Sequence, residues 1–215
     1  MRAGKSAQGP QLVLASRSPR LRELLAALGL DFTVDVADVD ESPQPGEPPE
    51  ALVCRLCRAK AKAVAERHRG KVVLAADTLV VVDGVLLGKP ADALEAVAML
   101  SLLRDRVHIV YTAVCVIHGT EVETRLSATD VTMRDFTDTE IERYVETGNP
   151  LDKAGAYGIQ DPQFAPVAFW KGCYSAVMGL PLGLAAELLS AAGIEAGTDV
   201  AQSCQSMTGD RCCLG

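Results

Sequence analysis

The sequence predicts an α/β fold, a mixed sheet flanked by helices and divided into two lobes with a central cleft. Two observations carry this. Apolar runs of strand length alternate with helical periodicity in the first half, and strands dominate the middle. A third observation marks the stretch around which the chain is organised. In residues 71–90 an apolar run, Val72 to Ala76, delivers a lone carboxylate, Asp77, and a valine-rich run follows at once. Short apolar runs bounded by turn residues read as buried strands. Asp83-Gly84, between residues 79–82 and 85–87, has the chemistry of a tight hairpin turn. Asp77 is therefore expected at the end of a buried strand, with Lys89 just past the return strand. An Asp at the carboxyl edge of an α/β sheet is well placed to meet a ligand. An Asp that caps a turn is the plainer reading.

The other elements follow in order. Residues 11–15 read as the first strand, running into Ser16-Arg17-Ser18-Pro19-Arg20. Ser18 can cap a helix there, Pro19 suits its first position, and Leu21, Leu24, Leu25 and Leu28 recur at helical spacing up to Gly29. A strand that turns into a helix N-terminus leaves backbone N–H groups for an anion, and Ser16, Ser18 and Arg20 stand beside them. An ordinary turn with solvated arginines is the alternative. Residues 32–36 read as a strand, followed by an acidic, proline-rich loop with Asp38, Asp40 and Glu41. Such a loop is commonly just solvated, and it is also where a magnesium ligand is expected in a phosphate-handling enzyme. Residues 49–67 form an amphipathic helix in which Lys60 falls on the apolar side, one turn after Leu56. A lysine there either snorkels or reaches through to a bound anion, and the second reading is favoured.

Residues 92–103 read as a helix, and 107–117 and 121–133 as long strands. Thr137-Asp-Thr-Glu140 is a capping box for a helix through Glu146. Leu151-Asp-Lys153-Ala-Gly-Ala-Tyr-Gly-Ile-Gln160 then places Lys153, two glycines and Gln160 in a tight space. Residues 164–170 and 174–177 read as strands, and Gly179-Leu-Pro181 opens a final helix up to Gly193. The expected organisation is a flexible extension over 1–10, one domain over 11–194 and a disordered tail over 195–215.

Composition limits the functions available. The chain has 215 residues, 48% of them hydrophobic, enough for a substantial core. No apolar stretch reaches bilayer length, and the N-terminus lacks the pattern of a secretory signal, so the expected location is cytoplasmic. Seven scattered cysteines argue against a disulfide framework, and Cys54-x-x-Cys57 has no second pair at zinc-finger spacing. A net charge of −7 disfavours nucleic acid and anionic membranes as partners. An acidic protein that binds a phosphate ester must gather its cations at one place. Ser16, Arg20, Arg22, Lys60, Lys89 and Lys153 around Asp77 are the candidates, the parts that phosphoryl chemistry needs. Neither a P-loop nor a Gly-x-Gly-x-x-Gly fingerprint is present.

Leu-Ala-Ser16-x-Ser-Pro-Arg20, Val-Asp40-Glu41-Ser42, Ala-Ala-Asp77-Thr78, Gly-Lys89-Pro, the 152–160 segment and Gly179-Leu-Pro181 together resemble the Maf family, in the same order from about Leu12 to Gly193. The resemblance implies an elongated, twisted sheet like that of inosine triphosphatase-like enzymes. It implies a nucleoside triphosphate pyrophosphatase that releases a monophosphate and pyrophosphate with Mg2+ or Mn2+. By the same resemblance Asp77 is the catalytic residue, acting as base toward the attacking water or through the metal, and Ser16, Arg20, Lys60 and Lys89 contact phosphate. Thr78 and Gln160 are linked to base selection, Lys153 joins the substrate-binding set, and Glu41 with Asp77 would hold the metal. The 152–160 segment resembles the branch acting on dTTP and UTP, whose role is housekeeping of the nucleotide pool. A nucleotide-binding regulator of cell division with little catalysis is the alternative. Homodimers are common among such folds. The chain departs from the family at Leu21, where a second arginine is usual, and at Asp161-Pro162-Gln163, where glycines are usual.

Overall fold

The computed structural model describes residues 11–209; the expected flexible extension, 1–10, lies outside the described residues, as does 210–215. Strands β1 (Leu12–Ala15), β2 (Phe32–Asp35) and β3 (Val72–Val82) are parallel, linked through helices α1 (Pro19–Ala27) and α2 (Pro49–Ala65). Parallel neighbours need such crossovers. From β3 onward the pairing turns antiparallel, through β4 (Val85–Leu87), β5 (Val107–His118), β6 (Glu121–Met133) and β7 (Val167–Lys171). The result is one mixed sheet in the order β2-β1-β3-β5-β6-β7, with β4 paired to β3. The β3–β4 turn sits at Asp83 and Gly84, both with positive φ, as the Asp-Gly pair requires.

Side chains alternate across the sheet and give it two apolar faces. Val72, Leu74, Ala76, Val80 and Val82 of β3 join the larger core. That core also takes in α1, α3 (Ala93–Leu103), α4 (Asp138–Glu146) and α6 (Leu182–Ala191). Val73 and Ala75 point the other way, into a smaller cluster closed by Val53, Cys57, Ala61 and Val64 of α2. Period-two alternation therefore sends Asp77 toward α2 and Thr78 toward the larger core. The caps fall where the sequence places them. Ser18 accepts from the backbone N–H of Leu21, and Thr137 and Glu140 form the reciprocal box that opens α4.

Four expectations are corrected. Asp77 does not end a strand, because β3 runs unbroken through it and pairs with β5 from Val72 to Val81. The strand expected over 164–170 begins only at Val167. Phe164 is instead a core residue stacked on Tyr144, their ring centroids 4.2 Å apart. The 174–177 segment is a short helix, α5 (Tyr174–Met178). Its valine and tyrosine favour strand locally, but Gly179 at φ +118 closes a helical turn, its N–H bonding Ala176 O and that of Leu180 bonding Ser175 O. The tail expected to be disordered from residue 195 forms α7 (Val200–Thr208), capped by Asp199. Its polar composition hides apolar contacts: Cys204 is 3% exposed in the core and Val200 and Met207 pack against it, while the Gly197 N–H bonds Leu28 O at the end of α1. Among the described residues, no helix is long and apolar enough to cross a membrane.

His108 on β5 is 2% exposed; its Nε2 lies 2.7 Å from Tyr157 Oη and its Nδ1 has no partner among the described residues. Burial depresses its pKa from 6.5 to about 4. Its contribution to stability is complete above the free imidazole's pKa and is lost as the pH falls through about 4. A shift of this size corresponds to roughly 3 kcal/mol. Denaturant unfolding should therefore show stability declining as the pH drops from about 6.5 toward 4, with that decline much reduced in His108→Asn.

Candidate active site

The open edge of β3 creates the site. One edge pairs with β5 throughout. On the other, β1 stops opposite Leu74 and β4 pairs only from Val80 onward. Among the described residues, 75–79 have no neighbouring strand on that side, and a cavity of about 440 Å³ opens over them. That volume is in the range of small-ligand sites. Asp77 thus faces an open edge from mid-strand, so the expected ligand role survives the correction of its position.

The structure brings all nine expected site residues to this one cavity. Ser16 and Arg20 come from the β1–α1 turn, Glu41 from the acidic loop, and Lys60 from α2. Asp77 and Thr78 come from β3, Lys89 from beyond β4, and Lys153 and Gln160 from the segment after α4. Lys60 is explained directly. Its Nζ contacts Oδ1 of Asp77 and Oε1 of Glu41, each at 2.8 Å, with its side chain 17% exposed and that of Asp77 16%. Its apolar-face position sends the ammonium under the sheet edge to two carboxylates, so it does not snorkel to solvent.

The charges tune one another. Burial raises the Asp77 carboxyl above its ordinary value; Lys60 opposes that rise without cancelling it, and Glu41 adds to it. Burial alone would lower the pKa of Lys60, but Asp77 and Glu41 outweigh it and hold the ammonium above the ordinary lysine value. A carboxylate with raised basicity, fixed by one cation, suits proton abstraction from water.

Other cations meet in the same wall. Arg20 reaches Asp152 Oδ2 at 2.9 Å and Lys153 reaches Asp152 Oδ1 at 2.6 Å, so one carboxylate holds both. Partial burial would raise the pKa of Asp152, but Lys153 and Arg20 outweigh it and hold the carboxyl below its usual value. Gly158 lets Lys153 and Gln160 close in, since a Cβ there would meet Lys153 Cε at 3.2 Å and Gln160 Oε1 at 3.3 Å. Ser16 Oγ accepts from the Ser18 N–H, which shapes the turn and leaves the hydroxyl proton for a ligand.

Sequence reasoning missed Arg17 and Asp152, which also line the cavity. Both signals were present: Arg17 lies inside the Ser-x-Ser turn, and Asp152 directly precedes Lys153. With Asp38 and Glu41 included, the lining holds five cationic and four acidic side chains, so the expected strongly cationic set around a single acid is corrected to a near-balanced one. The acids Glu41, Asp77 and Asp152 hold Lys60, Arg20 and Lys153 in place. Leu21 is buried and lies against Gly179, whose added Cβ would stand 2.8 Å from Leu21 Cδ1. Arg22 donates to the Arg17 carbonyl on the exposed side and does not line the cavity. Asp161 Oδ1 accepts from the N–H groups of Gln163 and Phe164, turning the chain so that Phe164 enters the core.

Metal ligation fits this geometry in one way. Among the described residues no group of three or more His, Cys, Asp or Glu side chains could hold an ion. Cys57 is buried with its Sγ against the carbonyls of Ala75 and Ala113. Glu41 and Asp77, however, share a single ammonium and so lie within reach of one cation. Magnesium is commonly bound by one or two carboxylates plus substrate phosphates, which this pair matches.

Comparison with known proteins agrees with these features. The model of the Maf-like protein family matches residues 11–192. A dTTP/UTP pyrophosphatase of Myxococcus xanthus is 53% identical, spanning 85% of this chain and 93% of the relative. One from Thermomicrobium roseum is 50% identical over 87% of this chain and 86% of the relative. Among solved structures, a HAM1 protein from Coxiella burnetii is a distant likeness, 18% identical over 71% of this chain and 87% of its own, with a TM-score of 0.41. The match spans the strand that carries Asp77, the helix that carries Lys60 and the segment that carries Gln160: this chain belongs to the Maf family.

Proposed function

We propose that this chain is a nucleoside triphosphate pyrophosphatase that converts dTTP and UTP to the monophosphate and pyrophosphate, a cytoplasmic housekeeping activity on the nucleotide pool. One observation carries the reading: Asp77 stands at the open edge of β3, held 2.8 Å from Lys60 Nζ, in a cavity lined by Arg17, Arg20, Lys89 and Lys153. The printed names of the relatives describe that activity for them.

In this reading the triphosphate lies along the cations, beside the β1–α1 turn. Asp77 takes a proton from the attacking water, and its raised pKa makes it the stronger base for that step. Lys60 fixes the carboxylate and neutralises charge as the water is deprotonated. Arg20, held by Asp152, together with Lys89, stabilises charge gathering on the pyrophosphate leaving group. Mg2+ or Mn2+, held by Glu41 and Asp77, would supply further neutralisation of the phosphate charge. The less charged wall, with Thr78 and Gln160, receives the base.

Arg17 and Lys89 line the cavity with side chains in no ion pair among the described residues. Charge-assisted contacts are worth about 1.5–3 kcal/mol. Arg17→Ala and Lys89→Ala should each lower kcat/KM by roughly 10- to 100-fold, with a weaker dependence on salt than the parent shows. A panel of nucleoside triphosphates scored by pyrophosphate release tests the function itself. Turnover of dTTP and UTP is the expected result; tight nucleotide binding without turnover of any triphosphate would refute it.

A further inference from the structure

Thr112 lies on β5 directly across the ladder from Thr78, and it is fully buried, 0% exposed. Its Oγ1 donates to the backbone carbonyl of Ala176 at 2.8 Å and lies 3.0 Å from Oγ1 of Thr78. A hydroxyl has one proton to give, and a carbonyl can only accept. The proton of Thr112 is committed to Ala176, so the proton between the two threonines belongs to Thr78. The Thr78 hydroxyl therefore points its hydrogen into the wall and offers the cavity only lone pairs.

The surroundings indicate what those lone pairs meet. Thr78 is on the opposite face of β3 from Asp77 and Lys60. On the larger-core side the lining is mostly apolar, with Val80, Val110, Ala154, Tyr157 and Met178, and Gln160 stands there as a second polar group beside Lys153. Gly179 completes the wall without a side chain; a Cβ there would stand 3.8 Å from Thr78 Oγ1 and occupy the space beside the hydroxyl. The Gly179 N–H also bonds the carbonyl that receives Thr112, so the hydroxyl relay and the gap are built from the same turn. A mostly apolar wall with a fixed acceptor suits a planar base that carries a ring N–H.

We propose that the buried Thr112 is a specificity-determining residue, one that fixes Thr78 as a hydrogen-bond acceptor and so selects pyrimidine bases with an N–H at ring position 3 over cytosine, which has a lone pair there. The inference rests on the pyrophosphatase reading and deepens it. Thr112 itself touches no ligand and acts through the direction of one proton. Uracil and thymine present the donor that Thr78 requires. Cytosine sets lone pair against lone pair at the partly buried Thr78 hydroxyl, a mismatch that leaves both polar groups unpaired.

The test compares kcat/KM for UTP and CTP in the parent, Thr112→Val and Thr112→Ser, with melting temperatures as a check on folding. In Thr112→Val the Thr78 proton loses its acceptor and is free to turn into the cavity, so the UTP-over-CTP ratio should fall about 10-fold. Thr112→Ser keeps the relay and should keep the ratio. A structural role alone would slow both substrates alike, and an unchanged ratio in folded Thr112→Val overturns the inference. Should Thr112→Val fail to fold, Thr78→Val removes the acceptor directly, and an unchanged ratio there overturns it equally. A variant that alters UTP over dUTP but leaves UTP over CTP intact would move the contact to the sugar and also overturn it. Calorimetric binding of UMP and CMP to the same proteins needs no hydrolysis. A Thr112-dependent UMP preference in a protein that cleaves nothing would support this inference while refuting the pyrophosphatase reading. Cleavage with preferences indifferent to Thr112 would do the reverse.

Discussion

Asp77→Asn is expected to lower turnover of the preferred triphosphate by roughly 10²- to 10⁴-fold, the span of a lost general base, while leaving the fold intact. Asn keeps the shape of the side chain and a hydrogen-bond acceptor for Lys60, but it cannot take a proton. The energetic cost to the fold is small because the charge on Asp77 is itself disfavoured. Burial raises its pKa above the 3.8 of a free aspartate. A carboxyl with a raised folded-state pKa stabilises the fold most when protonated, and that contribution is lost as the pH rises through the folded value. Removing the titrating group removes this pH-dependent loss, so melting at neutral pH should change by only a few degrees. The same shift should place the acid limb of the kcat/KM profile above the ordinary aspartate value. Pyrophosphate release and thermal melting, measured side by side, check both parts. Near-parental turnover in Asp77→Asn would remove Asp77 from the chemistry.

Replacing Lys60 by Met should cost nearly as much activity and considerably more stability. Its ammonium is the shared partner of Asp77 and Glu41, at 2.8 Å from each. A donor that acts in the transition state is worth about 2.7–4 kcal/mol, so kcat/KM should fall roughly 10²- to 10³-fold. Met fills the lysine stem's place in α2 but leaves Asp77 without its cation. The mostly buried carboxylate then loses its compensation, a penalty of about 1–3 kcal/mol at neutral pH. The pKa of Asp77 should rise further, and the lost stability should return as the pH falls and Asp77 protonates. Lys60→Arg, which keeps the charge, should recover more stability than activity, since a planar fork cannot reproduce the placement of a point charge. Urea unfolding of Lys60→Met at two pH values reads this directly. A destabilisation equal at both would show that packing, not charge compensation, is what Lys60 provides.

Much of this was legible in the sequence because it depends on local chemistry. Ser18-Pro19 and the Thr137–Glu140 box mark helix starts through hydrogen bonds made within one turn, and Asp83-Gly84 marks the hairpin through its φ requirement. Lys60 stood out because a lysine on an apolar stripe needs a partner, and the structure supplies two. What failed depends on partners distant in the chain. Asp77 was assigned to a strand end because a charge interrupts an apolar run. The strand continues because β5 pairs with both sides of it while β1 and β4 leave its other edge open. Residues 174–177 read locally as strand, yet Gly179 closes Tyr174–Met178 as helix over the sheet. The polar sequence after Glu195 gives little hint that Cys204 enters the core or that Thr198 bonds Ala27 O, 171 residues earlier. Asp152 is marked locally by its neighbour Lys153, but its link to Arg20 spans 132 residues.

The claim on which the account depends is that cations gathered at the open edge of β3 hold a polyphosphate against Asp77 for attack at the α phosphate. Phosphorus NMR of dTTP incubated with the protein and magnesium tests it most directly, because it reports which anhydride bond breaks. The account predicts dTMP and pyrophosphate appearing in equal amounts, and neither product from Asp77→Asn. The appearance of dTDP with inorganic phosphate, or an unchanged spectrum across every triphosphate tried, would contradict it.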